Sequence, residues 1–284
     1  QIQDFSGLEK LQNLSSINAE SQYYLYGEYI NAIPNILTEA MKESSIIATK
    51  DIEYDNCELK DGKINIIDSN QIATIIFTSG NAKGTTIYFD LSGKLQNNIY
   101  KISTKEDLLK ISELSHKGVG FYGIEIQMEA SIDMGAYYDI EEDTWKGDTW
   151  NPIGTKSVPF EGIFDGNFNT ISGILTDENY AGIFGVSVGT IKRLGSKNSH
   201  IDGDISGGIV GYMYNLGEEE RGIIQDCYND SYVEGSSYAG GIVGKAEWIQ
   251  ICNTYNTGMI VGSDVAAGIV GSWTDSTYRY GNIV

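Results

Sequence analysis

The sequence predicts two domains of different class. Residues 1–98 are expected to form an α+β domain, a long helix packed on an antiparallel sheet. Residues 99–284 are expected to form a parallel β-solenoid with an N-terminal capping helix. Three observations lead there. A Gly-Ile-Phe/Val-Gly segment recurs at residues 182–185, 208–211, 241–244 and 268–271, in steps of 26, 33 and 27. Steps of this size are those of stacked repeats. Between the copies lie short β-prone runs, such as Ile223-Ile224 and Tyr232-Val233, separated by Asn-Asp-Ser and Gly-Ser-Ser clusters. Residues 1–98 carry no trace of the repeat and show a helical period instead.

The predicted first helix covers residues 17–49. Tyr26, Ile30, Ile33, Ile36, Leu37 and Met41 recur at three and four spacing and make one apolar stripe, with a kink expected at Pro34. Strands are then expected around Ile52-Glu53-Tyr54, residues 63–67, 73–77 and 85–89, with Asp61-Gly62, Ser79-Gly80 and Ser92-Gly93 as turns. Next, Thr104 is a good N-cap and Asp107 lies three residues on, a variant of the capping box. That helix should run from Lys105 to about Ser115. Its apolar residues Leu108, Leu109, Ile111 and Leu114 would close the open end of the first coil, which otherwise exposes strand edges. In the coils, Ile209, Ile242 and Ile269 share one register and should form an inward column.

Two segments resemble known families. The stretch 35–45, with Ala40 and Ser44 near the expected helix end, and the stretch 84–93, with Ile87, Phe89 and Gly93, resemble the globular part of type IV pilins, nearest to the minor pseudopilins. The apolar N-terminal helix that marks a pilin is not in this sequence. Residues 99–175 and the repeats resemble arrays of the GLUG family through Leu108-Leu109, Phe121-Tyr122-Gly123, Trp150-Asn151-Pro152-Ile153-Gly154 and Asp165-Gly166-Asn167. The first resemblance implies other pilin subunits as partners of the N-terminal domain. The second implies a β-solenoid on a bacterial surface or secreted protein, as in adhesins, pilus-associated proteins and non-catalytic regions of immunoglobulin A peptidases. It names no ligand.

Charge narrows the partners. The net charge is −20, spread along the chain, which excludes nucleic acid as an expected partner. No secretory signal and no apolar run of about 18 residues is present, so no membrane span is expected in this sequence. Three cysteines, Cys57, Cys227 and Cys252, do not make a disulfide scaffold. Alternation puts Cys227 and Cys252 on one face of neighbouring coils, where two small buried side chains or a bridge are both open.

Catalytic motifs fail on context. The glycines of residues 118–123 match GxGxxG, yet a helix precedes them and a strand follows, the reverse of a dinucleotide site. Asp165-Gly166-Asn167 opens like a calcium loop, but Thr170 and Thr176 stand where an EF-hand needs Gly and Glu, so a tight turn is expected. The histidines are His116 and His200, and no His-Glu-x-x-His exists. No cofactor, metal or catalytic residue is assigned, and the chain is expected not to be an enzyme.

The candidate ligand residues lie in two interruptions of the array. Residues 135–150 hold Tyr137, Tyr138, Trp145 and Trp150, and residues 212–223 hold Tyr212, Tyr214, Glu218, Glu219 and Glu220. Loops on a rigid scaffold carry recognition more often than the scaffold does. Aromatics beside carboxylates suit sugar rings or a basic partner. The expected function is therefore an extracellular structural or adhesive protein, a minor pilin or pilus-associated adhesin, with a glycan or matrix-protein ligand. The alternative is a secreted polysaccharide-acting enzyme with paired carboxylates in a solenoid groove.

Overall fold

The computed structural model describes residues 25–26, 52–60, 63–68, 71–77, 86–90, 95–96, 99–215, 222–274 and 282–283. The chain divides into two compact units, residues 1–100 with 117–119, and residues 101–116 with 120–284.

In the first unit the strands Leu25–Tyr26, Thr86–Asp90, Ala73–Phe77 and Ile52–Asp55 form one sheet in that order. The last three pair antiparallel, and Leu25–Tyr26 joins the edge in parallel, Leu25 opposite Phe89. Cys57–Lys60 and Lys63–Ile66 make a separate hairpin. Asn56, at φ 52°, connects the two sheets, and its side chain donates to the carbonyl of Asp68 while accepting from the Asp68 amide. Alternating β-branched residues favour such strands.

This corrects the expected α+β, pilin-like class. Leu25–Tyr26, inside the predicted helix, is a strand, and the remainder of residues 17–49 lies outside the described residues. Among the described residues the one helix is Lys105–His116, so no long helix lies on the antiparallel sheet. The apolar spacing around Tyr26 fits a helix, but pairing with Thr86–Asp90 overrides that local period. The expectation of pilin subunits as partners loses its structural basis with it.

The second unit is a parallel β-solenoid, and each coil contributes to three stacked sheets. The longest sheet runs through Glu125–Met128, Ile163–Ser172, Thr190–Ile201, Ile223–Gln225, Gln250–Cys252 and Asn282–Ile283. The second holds Tyr180–Ala181, Ile205–Gly207, Tyr238–Gly240 and Val265–Ala267. The third holds Phe184–Ser187, Val210–Tyr214, Val243–Glu247 and Val270–Thr274. Ile209 donates its amide to Ile242, and Ile242 to Ile269, so the predicted column exists. Ile183, Ile209 and Ile242 are fully buried. Phe164, Phe184 and Phe160 fill the interior of the earlier coils, with ring centroids 5.1 Å apart at each contact.

Bends within the longest sheet use left-handed residues. Arg193, Asp226 and Asn253 stand one coil apart at φ 54°, 54° and 51°. Asn253 Nδ2 donates to Asp226 Oδ1 at 3.0 Å, and inside the next turn Asn229 Nδ2 donates to Asn256 Oδ1 at 2.8 Å. These ladders satisfy polar groups between coils. The bend also explains the cysteines. Asp226 breaks the alternation, so Cys227 is buried while Cys252, in register with Gln225, is half-buried; both thiols are free.

The capping helix has the predicted start. The Asp107 amide donates to Thr104 Oγ1 at 3.1 Å, and the amides of Ser103 and Thr104 donate to Asp107 Oδ2. Leu108, Ile111 and Leu114 are buried, whereas Leu109 is exposed and does not belong to the inner face. Ser112 and Ser115 tie the helix to the first coil, through the carbonyl of Asn151 and the amide of Gly154.

Candidate functional site

The interruption at residues 135–150 is a projecting hairpin, Tyr137–Asp139 paired antiparallel with Thr144–Lys146. Tyr138 lies opposite Trp145, and Tyr137 opposite Lys146. Side chains alternate across a strand, so Tyr138 and Trp145 share one face and Tyr137 takes the other. At the turn, Asp139 Oδ1 accepts from the amides of Glu141 and Glu142. Lys146 bridges Asp139 and Glu142, and its hydrogen bond holds the Asp139 carboxyl below its ordinary range. Tyr138 donates its hydroxyl to Asp143, which raises the phenol's pKa.

The hairpin leans on the coils through its aromatic face. Tyr138 meets Trp145 edge-on at 5.8 Å, and Trp145 stacks on His200 at 5.4 Å with the planes 17° apart. His200 contacts Tyr232, the next coil's residue in the same register, at 5.1 Å. Met259 stands one coil beyond Tyr232 in backbone register, since Val233 donates its amide to the Met259 carbonyl. The result is a ladder of ring contacts, Tyr138, Trp145, His200 and Tyr232, with Met259 in backbone register beyond it. Tyr138 and Met259 are 46% and 66% exposed.

Carboxylates border this ladder. Tyr232 donates to Glu234 Oε2 at 3.3 Å, and His200 Nε2 lies 4.0 Å from the same oxygen. Burial lowers the His200 pKa, against the opposite pull of Asp202 and Glu234, and so favours the neutral ring. Burial and the Glu234 charge raise the Asp202 carboxyl. Among the described residues neither Asp202 nor Glu234 forms an ion pair with Lys or Arg.

The second group of candidates falls elsewhere. Tyr212 and Tyr214 are not loop residues. They sit on the strand Val210–Tyr214, in register with Lys245 and Glu247. The insertion begins after Tyr214: the step from Tyr214 to Ile223 is nine residues where that from Glu247 to Gln250 is three. Tyr180, Tyr212 and Tyr214 stack at 5.8 and 5.1 Å, and Lys245 Nζ lies 5.1 Å from the Tyr212 ring centre. Burial, and then the hydrogen bond to Glu247, raise the Tyr212 hydroxyl strongly. Glu218, Glu219 and Glu220 lie outside the described residues.

Trp150 is a correction. It is 2% exposed, and its Nε1 donates to the carbonyl of Ile183 at 3.2 Å, so it holds the first coil together and faces no ligand. Conversely, His200 and Tyr232 take part in the ring contacts and Glu234 borders them, although none of the three is among the candidate ligand residues. The repeat step of 33 would set Val233 one coil beyond His200, and the register shift after Lys197 brings Tyr232 there instead.

Other tempting groups resolve as structure. Asp165 is fully buried, accepts from the Asn167 amide and is gripped by Arg193 Nε and Nη2. The Asp165 segment is a bulge in the strand Ile163–Ser172, with Asn167 and Phe168 at positive φ. His116 ends the capping helix with Nδ1 2.8 Å from the Ser112 carbonyl. Among the described residues no three His, Cys, Asp or Glu side chains are grouped so as to hold a metal ion.

No protein-family model matches the chain, so neither the pilin nor the GLUG resemblance is supported in that way. A curated protein of Evansella cellulosilytica, provisionally named a Gly-rich membrane protein, is 31% identical over 123 residues. The match covers 42% of this chain and 13% of that protein. Among solved structures, a Bacteroides ovatus chain provisionally named an immunoglobulin A1 protease aligns at 19% identity with a TM-score of 0.47, over 67% of this chain and 69% of that one. Among the described residues no helix is long and apolar enough to cross a membrane.

Proposed function

We propose that the chain acts outside the cell as a non-catalytic adhesive module, a β-solenoid that presents the hairpin face to a surface or matrix ligand. The observation that carries this reading is the ladder Tyr138–Trp145–His200–Tyr232, in which a projecting hairpin is joined to rigid coils by aromatic contacts. Aromatic rings with polar handles give large contact area at low entropic cost, and rigid placement reduces what binding must order. The repeat pattern that resembles GLUG arrays, and the surface proteins in which such arrays occur, favour the same setting.

The chemistry of the candidate nucleophiles favours binding over turnover. Burial pushes the Cys227 thiol up to about 12, which leaves almost no thiolate at neutral pH. His200 is packed between Trp145 and Tyr232, and His116 is engaged at the end of a helix. The test is a solid-phase binding screen of the full chain against polysaccharides and matrix proteins, with a reducing-end assay on every polysaccharide bound. Saturable binding that Tyr232→Ala weakens at least tenfold, without release of reducing ends, supports the reading. Release of reducing ends at a steady rate would replace it with the polysaccharide-cleaving alternative.

A further inference from the structure

The coil of residues 255–274 exposes what the earlier coils bury. Tyr255, Met259, Val261 and Val265 are 36% to 66% exposed. Its inward residues are open as well. Val233, Ile242 and Val243 are fully buried, whereas the residues one coil on, Ile260, Ile269 and Val270, are half-buried. The repeat glycines report the same opening. A Cβ on Gly208 would lie 2.3 Å from the Gly241 carbonyl oxygen, and one on Gly241 would lie 2.0 Å from that of Gly268. A Cβ on Gly268 would meet nothing within 4 Å. The earlier glycines are sealed by the backbone of the next coil, and Gly268 faces open space.

This coil also ends two sheets. Among the described residues Val265–Ala267 and Val270–Thr274 are each paired on one side only, so their outer edges carry backbone amides and carbonyls with no neighbouring strand. Such edges are usually guarded by Lys, Pro or inward charges. Residues 255–274 hold no Lys, Arg or Pro, and Asp264 is their single charge; residues 228–247, one coil back, carry Asp230, Glu234, Lys245 and Glu247. An unguarded edge is built to be paired, and charge selects the partner. A chain of net charge −20 repels its own copies least where it is nearly neutral, and a basic partner finds little there to hold it. At the other end the capping helix buries Leu108, Ile111 and Leu114, so the two ends do not match for head-to-tail stacking.

We infer that two copies of this chain join tail to tail through this coil, about a two-fold axis perpendicular to the solenoid axis. The two-fold sets the edge strands of the copies antiparallel, and the same surface serves on both sides, so assembly closes at a dimer. The inference stands apart from the adhesive reading. Joined to it, the dimer carries two hairpin faces and holds a multivalent ligand by both. The test is light scattering of the full chain over a hundredfold range of concentration. The mass should rise reversibly from 31.1 kDa to twice that value and stop. Met259→Glu with Val265→Glu, both at exposed positions, should raise the dissociation constant about tenfold or more, because each carboxylate then faces its own copy's acids across a buried apolar contact. Ile140→Glu, at the 85% exposed hairpin tip, should leave it unchanged. In the wild type, amide hydrogen exchange over residues 265–274 should slow on going from dilute to concentrated protein, a readout that needs no variant to fold. A monomer throughout, with that exchange unchanged, overturns the inference. So does a species that keeps growing beyond the dimer, or a dimer that Ile140→Glu disrupts and the Met259 and Val265 pair does not.

Discussion

Trp145 stacks on His200 with ring centroids 5.4 Å apart and planes 17° from parallel, although 55 residues separate them in the chain. The contact fixes the hairpin to the second coil and shields the imidazole. Trp145→Ala should therefore free the hairpin while leaving the coils folded. The expected loss of stability is only about 1 kcal/mol, typical of an aromatic pair. Limited proteolysis should show new cleavage between Tyr137 and Lys146, and the coils should stay resistant. Unchanged protease resistance would show that the hairpin is held by something other than this stack.

The same shielding sets a pH dependence. Burial lowers the His200 pKa below its ordinary value of about 6.5, with Asp202 and Glu234 pulling the other way. The unfolded chain then takes up the proton first. Below about pH 6.5 the unfolded state binds more protons than the folded one, so stability is flat above about pH 6.5 and falls as pH drops from there toward the folded pKa. His200→Gln should flatten that slope. Urea unfolding at intervals from pH 8 to pH 5, in wild type and variant, measures it; parallel slopes would exclude His200 as the cause.

Asp165 makes the opposite case. Burial would raise its carboxyl, but the Arg193 hydrogen bonds, the Asn167 amide and Lys192 outweigh it and hold the pKa below the ordinary carboxylate value. Its contribution is present at neutral pH and is lost as pH falls through the folded pKa, below about 4. Asp165→Ala leaves Arg193 without the carboxylate it grips, while Lys192 keeps Glu125 at 3.3 Å. Removing one partner of a buried pair costs about 3–5 kcal/mol, and partial exposure of Arg193 brings the expectation to about 2–3 kcal/mol. Chemical denaturation at pH 7 and pH 3 should show the difference shrinking at the lower pH.

What the sequence revealed depended on how local each relationship is. The capping box of Thr104 and Asp107 spans three residues and could be read directly. The column of Ile209, Ile242 and Ile269 could be read because the repeat states its own register. The ladder could not. Trp145 reaches His200 only after a hairpin folds, and the alignment of His200 with Tyr232 passes through a register shift beside Asn198. Trp150 sits in the same aromatic stretch as Trp145, yet one faces the core and the other His200, and residue type does not distinguish them. Cys227 and Cys252 misled because strict alternation assumes a straight strand, and Asp226 bends the chain. The helical period through Tyr26 misled because a few apolar residues at three and four spacing suit either state, and tertiary pairing decides.

The isoleucine column predicts a graded response. Ile209 and Ile242 are fully buried, whereas Ile269, in the last coil, is half-buried. Ile242→Ala should cost about 3–4 kcal/mol, since it removes buried methyl groups and leaves a cavity between stacked coils. Ile269→Ala should cost about 1 kcal/mol, because less apolar surface is lost there. Equal costs in urea unfolding would show that the last coil is as well covered as the interior ones.

The glycines of the repeat give the sharpest contrast. A Cβ on Gly241 would lie 2.0 Å from the Gly268 carbonyl oxygen, a backbone atom fixed by the adjoining coil. A Cβ on Gly195 would lie 2.5 Å from the ring of Tyr228, a side chain that stacks outward on Tyr255 at 5.2 Å. Gly241→Ala must separate two coils, and a loss above about 3 kcal/mol is expected, at the upper end of overpacking costs. Gly195→Ala needs only the Tyr228 ring to move, at about 1–2 kcal/mol. Replacing that ring should remove the conflict, so Gly195→Ala should cost much less in a Tyr228→Ser background. A double-mutant cycle by thermal unfolding measures the coupling. Coupling near zero would mean that Gly195 is required by the backbone path and not by the tyrosine that covers it.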